Sequence, residues 1–327
     1  MPDTLTVTRA GHAVVQDLGR FGRSRSGLPV NGALDQYSAR VANVLVGNAE
    51  NAPLVELTAL DFGCTTSADV LVAVTGAPAE VTVDGSRRPG WEPFTVHAGQ
   101  TLRIEGIRDG LRVYLAVHGS VAATYLLGSC APDTILGFGR RLGEGDELAL
   151  TTRLPPLEHP VFRHPVFRLR PPVPRFGEPW TIDVTDGPDA ADFGASAARL
   201  YAEPFAVTAR SNHVGLRLAG RVPRRETTGE VLSRGVPVGA VEVPAGDELL
   251  VLHRGRGVTA GYPVLAVVTT TGLSALGQAR PGQTVRFRRR AVEDAVSAHI
   301  AQHHAIRALH RRVSTVFDAL RIPVPAH

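Results

Sequence analysis

The chain is expected to be mainly β with a few helices, organised as two related β domains, and three observations point there. Aromatic residues make up only 6% of the chain, while Gly and Pro number 34 and 24. That balance favours many short strands joined by tight turns over a helical bundle. Short apolar runs bounded by turn residues follow one another through 70–150 and again through 181–268, as expected of antiparallel sheets. One turn pattern, in which Gly and then Asp or Gln introduce an apolar run, recurs at His97-Ala98-Gly99-Gln100, Glu144-Gly145-Asp146-Glu147, Ala245-Gly246-Asp247-Glu248 and Arg280-Pro281-Gly282-Gln283. With two copies in each half, it hints at an ancient duplication.

A length of 327 residues fits two domains of roughly 150 residues each. The expected layout is an N-terminal β domain with one helix over 1–155, a proline-rich linker over 156–179, a C-terminal β domain over 180–290, and a helix and tail over 291–327. Residues 4–9 alternate as a strand. The following GHAVVQDLGRFGRSRSG (11–27) is polar and glycine-punctuated, and is expected to offer Gln16, Asp17, Arg20, Arg23 and Arg25 to solvent.

From Asn31 the spacing turns helical. Asn31 or Gly32 can cap, Leu34, Val41, Ala42, Leu45 and Val46 recur on one face, and Gly47-Asn48 ends the run. Asp35 falls in the first turn, where the helix dipole stabilises a carboxylate, and Asn43 inside the helix needs a partner. Glu56, flanked by apolar residues in 54–60, is expected to reach solvent by strand alternation. Strands follow at 70–74, 81–83, 95–96, 102–104, 111–117 and 147–150. The proline-dense stretch after Thr151 favours extended backbone packed along one domain, since Phe162 and Phe167 should not stay exposed.

The second half opens with a strand at 181–185, a helix near 189–201 and strands at 205–210, 215–218 and 231–233. Ser211 and His213 would share a face of an extended segment, yet no nearby acid is placed to orient the imidazole. A polar turn is therefore expected. The block from Gly235 to Val268 is the centre of this half, with buried strands at 247–252 and 264–268 holding a polar, glycine-rich loop, 253–263. A last helix over 291–313 carries His299 and His303 at i and i+4. No Glu follows the first His as in HExxH, so a solvent-facing helix is expected rather than a metal site.

Absences narrow the chemistry. Every one of the 35 basic residues is Arg, which excludes a Schiff-base or Walker lysine. A net charge of +4 with scattered arginines gives no stripe for nucleic acid. The glycines at 255, 257 and 261 lead into a strand, whereas a dinucleotide fingerprint must open a helix. Cys64 and Cys130 stand far apart without a CxxC and are expected as buried thiols. Neither a leader nor a long apolar run is visible, so a cytoplasmic protein away from membranes is expected.

Several stretches together carry a resemblance: QDLGRFG from Gln16, GLPVNGALD from Gly27, NVLVGN from Asn43, ARSNHVGLRL from Ala209, LSRGVPVGAVEVP from Leu232 and TAGYPVLAVV from Thr259. In this order they resemble the biotin-dependent carboxyltransferase-like family, which includes the C subunit of bacterial 5-oxoprolinase, the second subunit of allophanate hydrolase and the carboxyltransferase region of urea amidolyase. The resemblance runs from about Val14 to about Phe287. It implies two cyclophilin-like β-barrel domains working beside B-like and A-like partner subunits. The implied reaction is ATP-dependent opening of the 5-oxoproline lactam to glutamate, with ATP bound by the complex.

Two other outcomes stay open: a biotin-dependent carboxyltransferase acting on urea or a related small amide, and a non-catalytic regulator that binds a B-like subunit. Combining residue type with the family motif, Asp35, Glu56, Asn212 and Tyr262 are the candidate catalytic residues. Gln16, Arg20, Arg210, Ser211, Arg256 and Thr259 are the candidates for binding substrate or phosphate. No metal ligands are assigned. The chain departs from the family where relatives usually read Asp-Arg-Gln-Thr-Thr-Gly-Gly-Tyr-Pro. Gly255 and Gly257 stand here in place of the Asp and the Gln, which puts proton handling by this loop in doubt.

Overall fold

The computed structural model describes residues 2–151, 167–227 and 229–323. Residues 152–166, which take in the first part of the expected linker over 156–179 and Phe162, lie outside the described residues. The described chain is mostly β, as expected, and divides into two compact units. One comprises Met1–Gly19, Gln36–Arg175 and His303–His327; the other comprises Arg20–Asp35 and Phe176–Gln302. The division departs from chain order at two places: 20–35 belongs with the second unit, and the last 25 residues, 303–327, belong with the first.

The first unit holds two sheets. In the six-stranded one the order is Glu147–Ala149, Thr4–Arg9, Phe62–Thr66, Thr101–Glu105, Glu80–Val83 and Ser86–Arg87. The five-stranded one runs Ala13–Gln16, Leu54–Thr58, Arg112–Val117, Val70–Gly76 and Pro93–Val96. Thr4–Arg9 and Thr101–Glu105 alternate buried and open positions, whereas Val70–Gly76 and Arg112–Val117 are buried along their whole length. The reason is the helix Gln36–Leu45, which lies on both of those strands and covers their second face.

That helix stops where the sequence says it should. Gly47 N donates to Val44 O and Asn48 N to Asn43 O, with Gly47 in the left-handed region, a Schellman closure. Asn43 finds the partners its burial demands, donating to Glu50 O and Ala52 O. Asn48 donates to Val117 O and accepts from Gly119 N. The NVLVGN stretch is thus a fastening of helix to sheet.

In the second unit the strands Trp180–Asp186, Val264–Val268, Ala240–Glu242, Glu248–Leu252, Gly215–Ala219, Phe205–Val207 and Thr284–Arg289 close into a barrel. Its interior is filled by residues such as Ile182, Phe205, Leu218, Val241, Leu249 and Phe287. Among the described residues only this half closes; the first half is built there as the two sheets above. The expected helix near 189–201 is a 3-10 segment, Ala190–Ala198, broken at Gly194 and followed by the short helix Arg199–Ala202.

The recurring turn has one physical basis. In three copies the side chain after the glycine folds back onto a backbone N–H three residues earlier: His97 N donates to Gln100 Oε1, Gly143 N to Asp146 Oδ2 and Arg280 N to Gln283 Oε1. Gly99, Gly145 and Gly282 hold positive φ there, which selects glycine. The same device occurs in both units, in keeping with the duplication.

The C-terminal helix, Val292–Leu320, is not simply solvent-facing. Ile306, Leu309, Val313 and Phe317 are buried, and Phe317 meets the ring of His118 at a 5.9 Å centroid distance. Both cysteines are free and buried, and burial pushes the Cys64 thiol up to about 12. No described helix is long and apolar enough to cross a membrane.

Candidate functional site

In the second unit, backbone hydrogen bonds gather three stretches that are distant in sequence. Asn31 N donates to Arg254 O at 2.9 Å, Gly255 N to His213 O at 3.1 Å and His253 N to Val214 O at 2.8 Å. The 31, 213–214 and 253–256 stretches therefore form one patch beside the barrel strands that carry them. Arg256 is 6% exposed and directs Nε and Nη2 onto Val236 O at 3.0 and 2.8 Å. Its Nη1 is buried without a hydrogen-bond partner among the described residues. Burial pulls this guanidinium below its usual pKa.

Asp35 is also in this unit. It immediately precedes the helix Gln36–Leu45 and accepts from Gln278 Nε2 at 2.7 Å. The carboxylate is thus held by an amide from the far end of the chain, a partner that the expected helix-dipole contact did not foresee.

Gly255 explains itself by close approach. A Cβ there would stand 2.5 Å from His213 Cδ2, 2.8 Å from His213 O and 3.2 Å from Asn31 Oδ1. The Asp that the resemblance leads one to expect at this point has no room in this chain, because the 213 segment fills the space. Gly255→Ala is expected to lower stability by about 1–3 kcal/mol through overpacking. Adding His213→Ala should restore only part of that, because the carbonyl contact remains; thermal melts of the three chains check it.

The other expected residues fall into separate settings. Arg210, with Arg217, pairs with Glu248 on the barrel. Ser211 Oγ accepts from Arg217 N, and Asn212 Oδ1 accepts from Val214 N at 2.8 Å. This is the polar turn expected there, and it ties up the serine hydroxyl. Thr259 is exposed on a two-residue ladder in which Thr259–Ala260 pairs with Arg234–Gly235. Arg234 in turn pairs with Asp189, whose Oδ2 also accepts from Val264 N. Tyr262, 45% exposed, lines a cavity of about 710 Å³ with Arg224, Arg225, Glu230, Pro244 and Asp247, the size of a small-molecule site.

Arg20 is 1% exposed, so the expectation that it faces solvent is corrected. The same correction applies to Gln16 and Asp17 in the first unit, at 7% and 2%. Asp17 accepts from Gly19 N at 2.8 Å, Ser129 Oγ at 2.6 Å and Cys130 N at 2.8 Å, and this pulls it inward. Glu56 is likewise buried rather than solvent-facing, with Oε1 3.7 Å from Arg112 Nε. Both faces of its sheet are covered, so alternation offers no route to water.

One residue escaped the sequence reading. Glu242 is 1% exposed, and burial alone raises its carboxyl to about 7. Its place in Gly239-Ala240-Val241-Glu242-Val243 poses the same question that Glu56 did. Among the described residues no group of three or more His, Cys, Asp or Glu could hold a metal ion.

Fold and site together define a β scaffold of two units that keeps arginine and carboxyl groups beneath loops, quite unlike a nucleotide-binding parallel sheet. The family described as carboxyltransferase domain, subdomain A and B, matches residues 26–289, and the chain belongs to that family. It is 33% identical to the 5-oxoprolinase C subunit of Escherichia coli K12, over 90% of this chain and 94% of that one. To the 5-oxoprolinase C subunit of Haemophilus influenzae it is 30% identical, over 86% and 90% of the two chains. The crystal structure of the Kluyveromyces lactis urea amidolyase superposes with a TM-score of 0.84 at 27% identity, covering 94% of this chain and 20% of that one.

Proposed function

We propose that the chain is the C subunit of an ATP-dependent 5-oxoprolinase, which opens the 5-oxoproline lactam to glutamate together with A-like and B-like subunits. The observation that carries this reading is the match to two proteins of that name over nine-tenths of their length. The geometry supports it. An unstrained lactam resists water, and transfer of a phosphoryl group from ATP to its carbonyl oxygen supplies the activation. This chain's part is to hold the anionic oxygens and the substrate.

The unpartnered Nη1 of Arg256 is a buried donor that a phosphoryl or developing carbonyl oxyanion would satisfy. Arg20 lies in the same unit as a second cation. Asp35, fixed by Gln278, and Tyr262, on the wall of the cavity, are the groups that would orient the amide. Arg210, engaged by Glu248, acts in positioning the turn that carries Asn212.

The alternative, a biotin-dependent carboxyltransferase acting on urea or a related amide, draws on the likeness to the yeast urea amidolyase. The test is ADP release by the purified complex of this chain with its A-like and B-like partners. Release that requires 5-oxoproline and all three proteins is the expected result. Release that requires urea and a biotinylated partner would establish the alternative, and partner binding without turnover would make the chain a regulator.

A further inference from the structure

At one end of the barrel three connecting segments enclose the cavity of about 710 Å³ that Tyr262 borders. The first is the turn 243–247, which joins the strands Ala240–Glu242 and Glu248–Leu252, and the second is 261–263, which leads into Val264–Val268. The third supplies residues between 223 and 231. Val243 N donates to Pro263 O at 3.0 Å, which joins the first two walls. A Cβ on Gly261 would stand 3.1 Å from Val231 O, so the second and third walls are closely packed as well. The third is also fixed from outside the cavity. Arg225 directs Nε and Nη2 onto Asp192 Oδ2 at 3.0 and 2.8 Å and Nη1 onto Gly229 O at 2.7 Å, and Glu226 N donates to Asp192 O at 2.8 Å. Arg225 is thereby wholly engaged in building the wall.

Four other polar groups of the wall are not engaged. The guanidinium of Arg224, the carboxylates of Glu230 and Asp247 and the hydroxyl of Tyr262 meet no hydrogen-bond or ion-pair partner among the described residues. For Asp247 the reason is written in the sequence. In the three sister turns the side chain after the glycine accepts from the backbone N–H three residues earlier. Here that earlier residue is Pro244, which has no N–H to give. Gly246 accordingly stands at φ 144°, whereas Gly99, Gly145 and Gly282 stand at 81°, 83° and 88°. The turn that elsewhere closes on itself here leaves its carboxylate to the cavity.

We propose that this cavity binds a free amino acid as its zwitterion, with Arg224 on a carboxylate and Glu230 and Asp247 on the ammonium. Two unpaired carboxylates against one unpaired cation repel a nucleotide or phosphate. A neutral lactam nitrogen gives those carboxylates no charge to hold. Opening 5-oxoproline creates what they fit, because the ring nitrogen becomes an ammonium and the ring carbonyl becomes a second carboxylate. The hydroxyl of Tyr262 then serves the carboxylate made from that carbonyl. The cavity therefore holds glutamate more tightly than the lactam, an assignment of the amino acid that rests on the amide-opening reading above.

Calorimetric titration of the full chain with L-glutamate, 5-oxoproline and ATP tests this. All the walls belong to one compact unit of this chain, so no partner is required. Saturable glutamate binding is expected, with 5-oxoproline and ATP each at least about tenfold weaker, the scale of one charge-assisted contact. Arg224→Gln and the double variant Glu230→Gln/Asp247→Asn should each weaken glutamate by about tenfold or more. The double variant should also lose the preference for glutamate over 5-oxoproline. All three positions are exposed, so melting temperatures should stay at the wild-type value. Arg221→Gln removes the same charge outside the cavity, from a residue paired with Glu203, and should bind as the wild type does.

Absence of saturable glutamate binding, tighter binding of 5-oxoproline or ATP, unchanged binding in the cavity variants, or an equal loss in Arg221→Gln would overturn the proposal. A complex that releases no ADP with 5-oxoproline while its chain still binds glutamate in this way would sink the functional reading and leave the site standing. A complex that turns over while its chain fails to bind glutamate would sink the site alone.

Discussion

An Asp17→Ala chain is expected to lose about 4 kcal/mol of stability, because three donors that now converge on one carboxylate would be left buried without an acceptor. The donors are Gly19 N, Ser129 Oγ and Cys130 N, and Asp17 itself is 2% exposed. No rotamer of the neighbours replaces what is lost, since two of the three donors belong to the backbone. Asp17→Asn keeps the shape and one acceptor oxygen but turns an NH2 toward a donor, so it should fall between alanine and wild type.

Urea unfolding in a Trp180→Phe background isolates the effect. Trp91 is then the sole tryptophan and reports the unit that contains Asp17. A midpoint for Asp17→Ala that stays near the wild-type value would show that the loop is held by something else.

The second large effect is on how stability depends on pH. Burial raises the Glu242 carboxyl from 4.5 to about 7, so folding favours its protonated form. The stabilisation is complete below about 4.5 and is lost as pH climbs through about 7. The full swing corresponds to about 3 kcal/mol for one group. Glu242→Leu should remove that slope and leave the variant more stable than wild type at pH above about 7, where the wild type must bury a charge or distort to hydrate it. Melting temperatures of both chains across this window check the sign. Parallel curves would mean that the carboxyl reaches water in the folded chain.

Much was legible from the one-dimensional pattern. The strands expected at 70–74, 111–117 and 264–268 announce themselves by their apolar runs, the helix after Asp35 by its spacing and its Gly47-Asn48 stop, and the repeated turn by a glycine whose φ only glycine tolerates well. The ordered motifs were enough to show the resemblance to the family, and the lysine-free composition only narrowed the chemistry. These signals are local, each carried by residues within one turn or one strand of each other.

The partners of the polar residues were decided elsewhere. Sequence spacing cannot say that Asp35 meets Gln278, that Asp17 folds inward onto Ser129, that Glu56 lies beside Arg112, or that His213 fills the space over Gly255. A carboxylate in a strand reads as solvent-facing until both faces of its sheet are known to be covered, and that depends on elements far away in the chain. The residue types were fixed by the sequence; whether each is exposed, paired or left buried with a proton was fixed by packing, because burial and hydrogen bonding arise only between segments that the fold brings together.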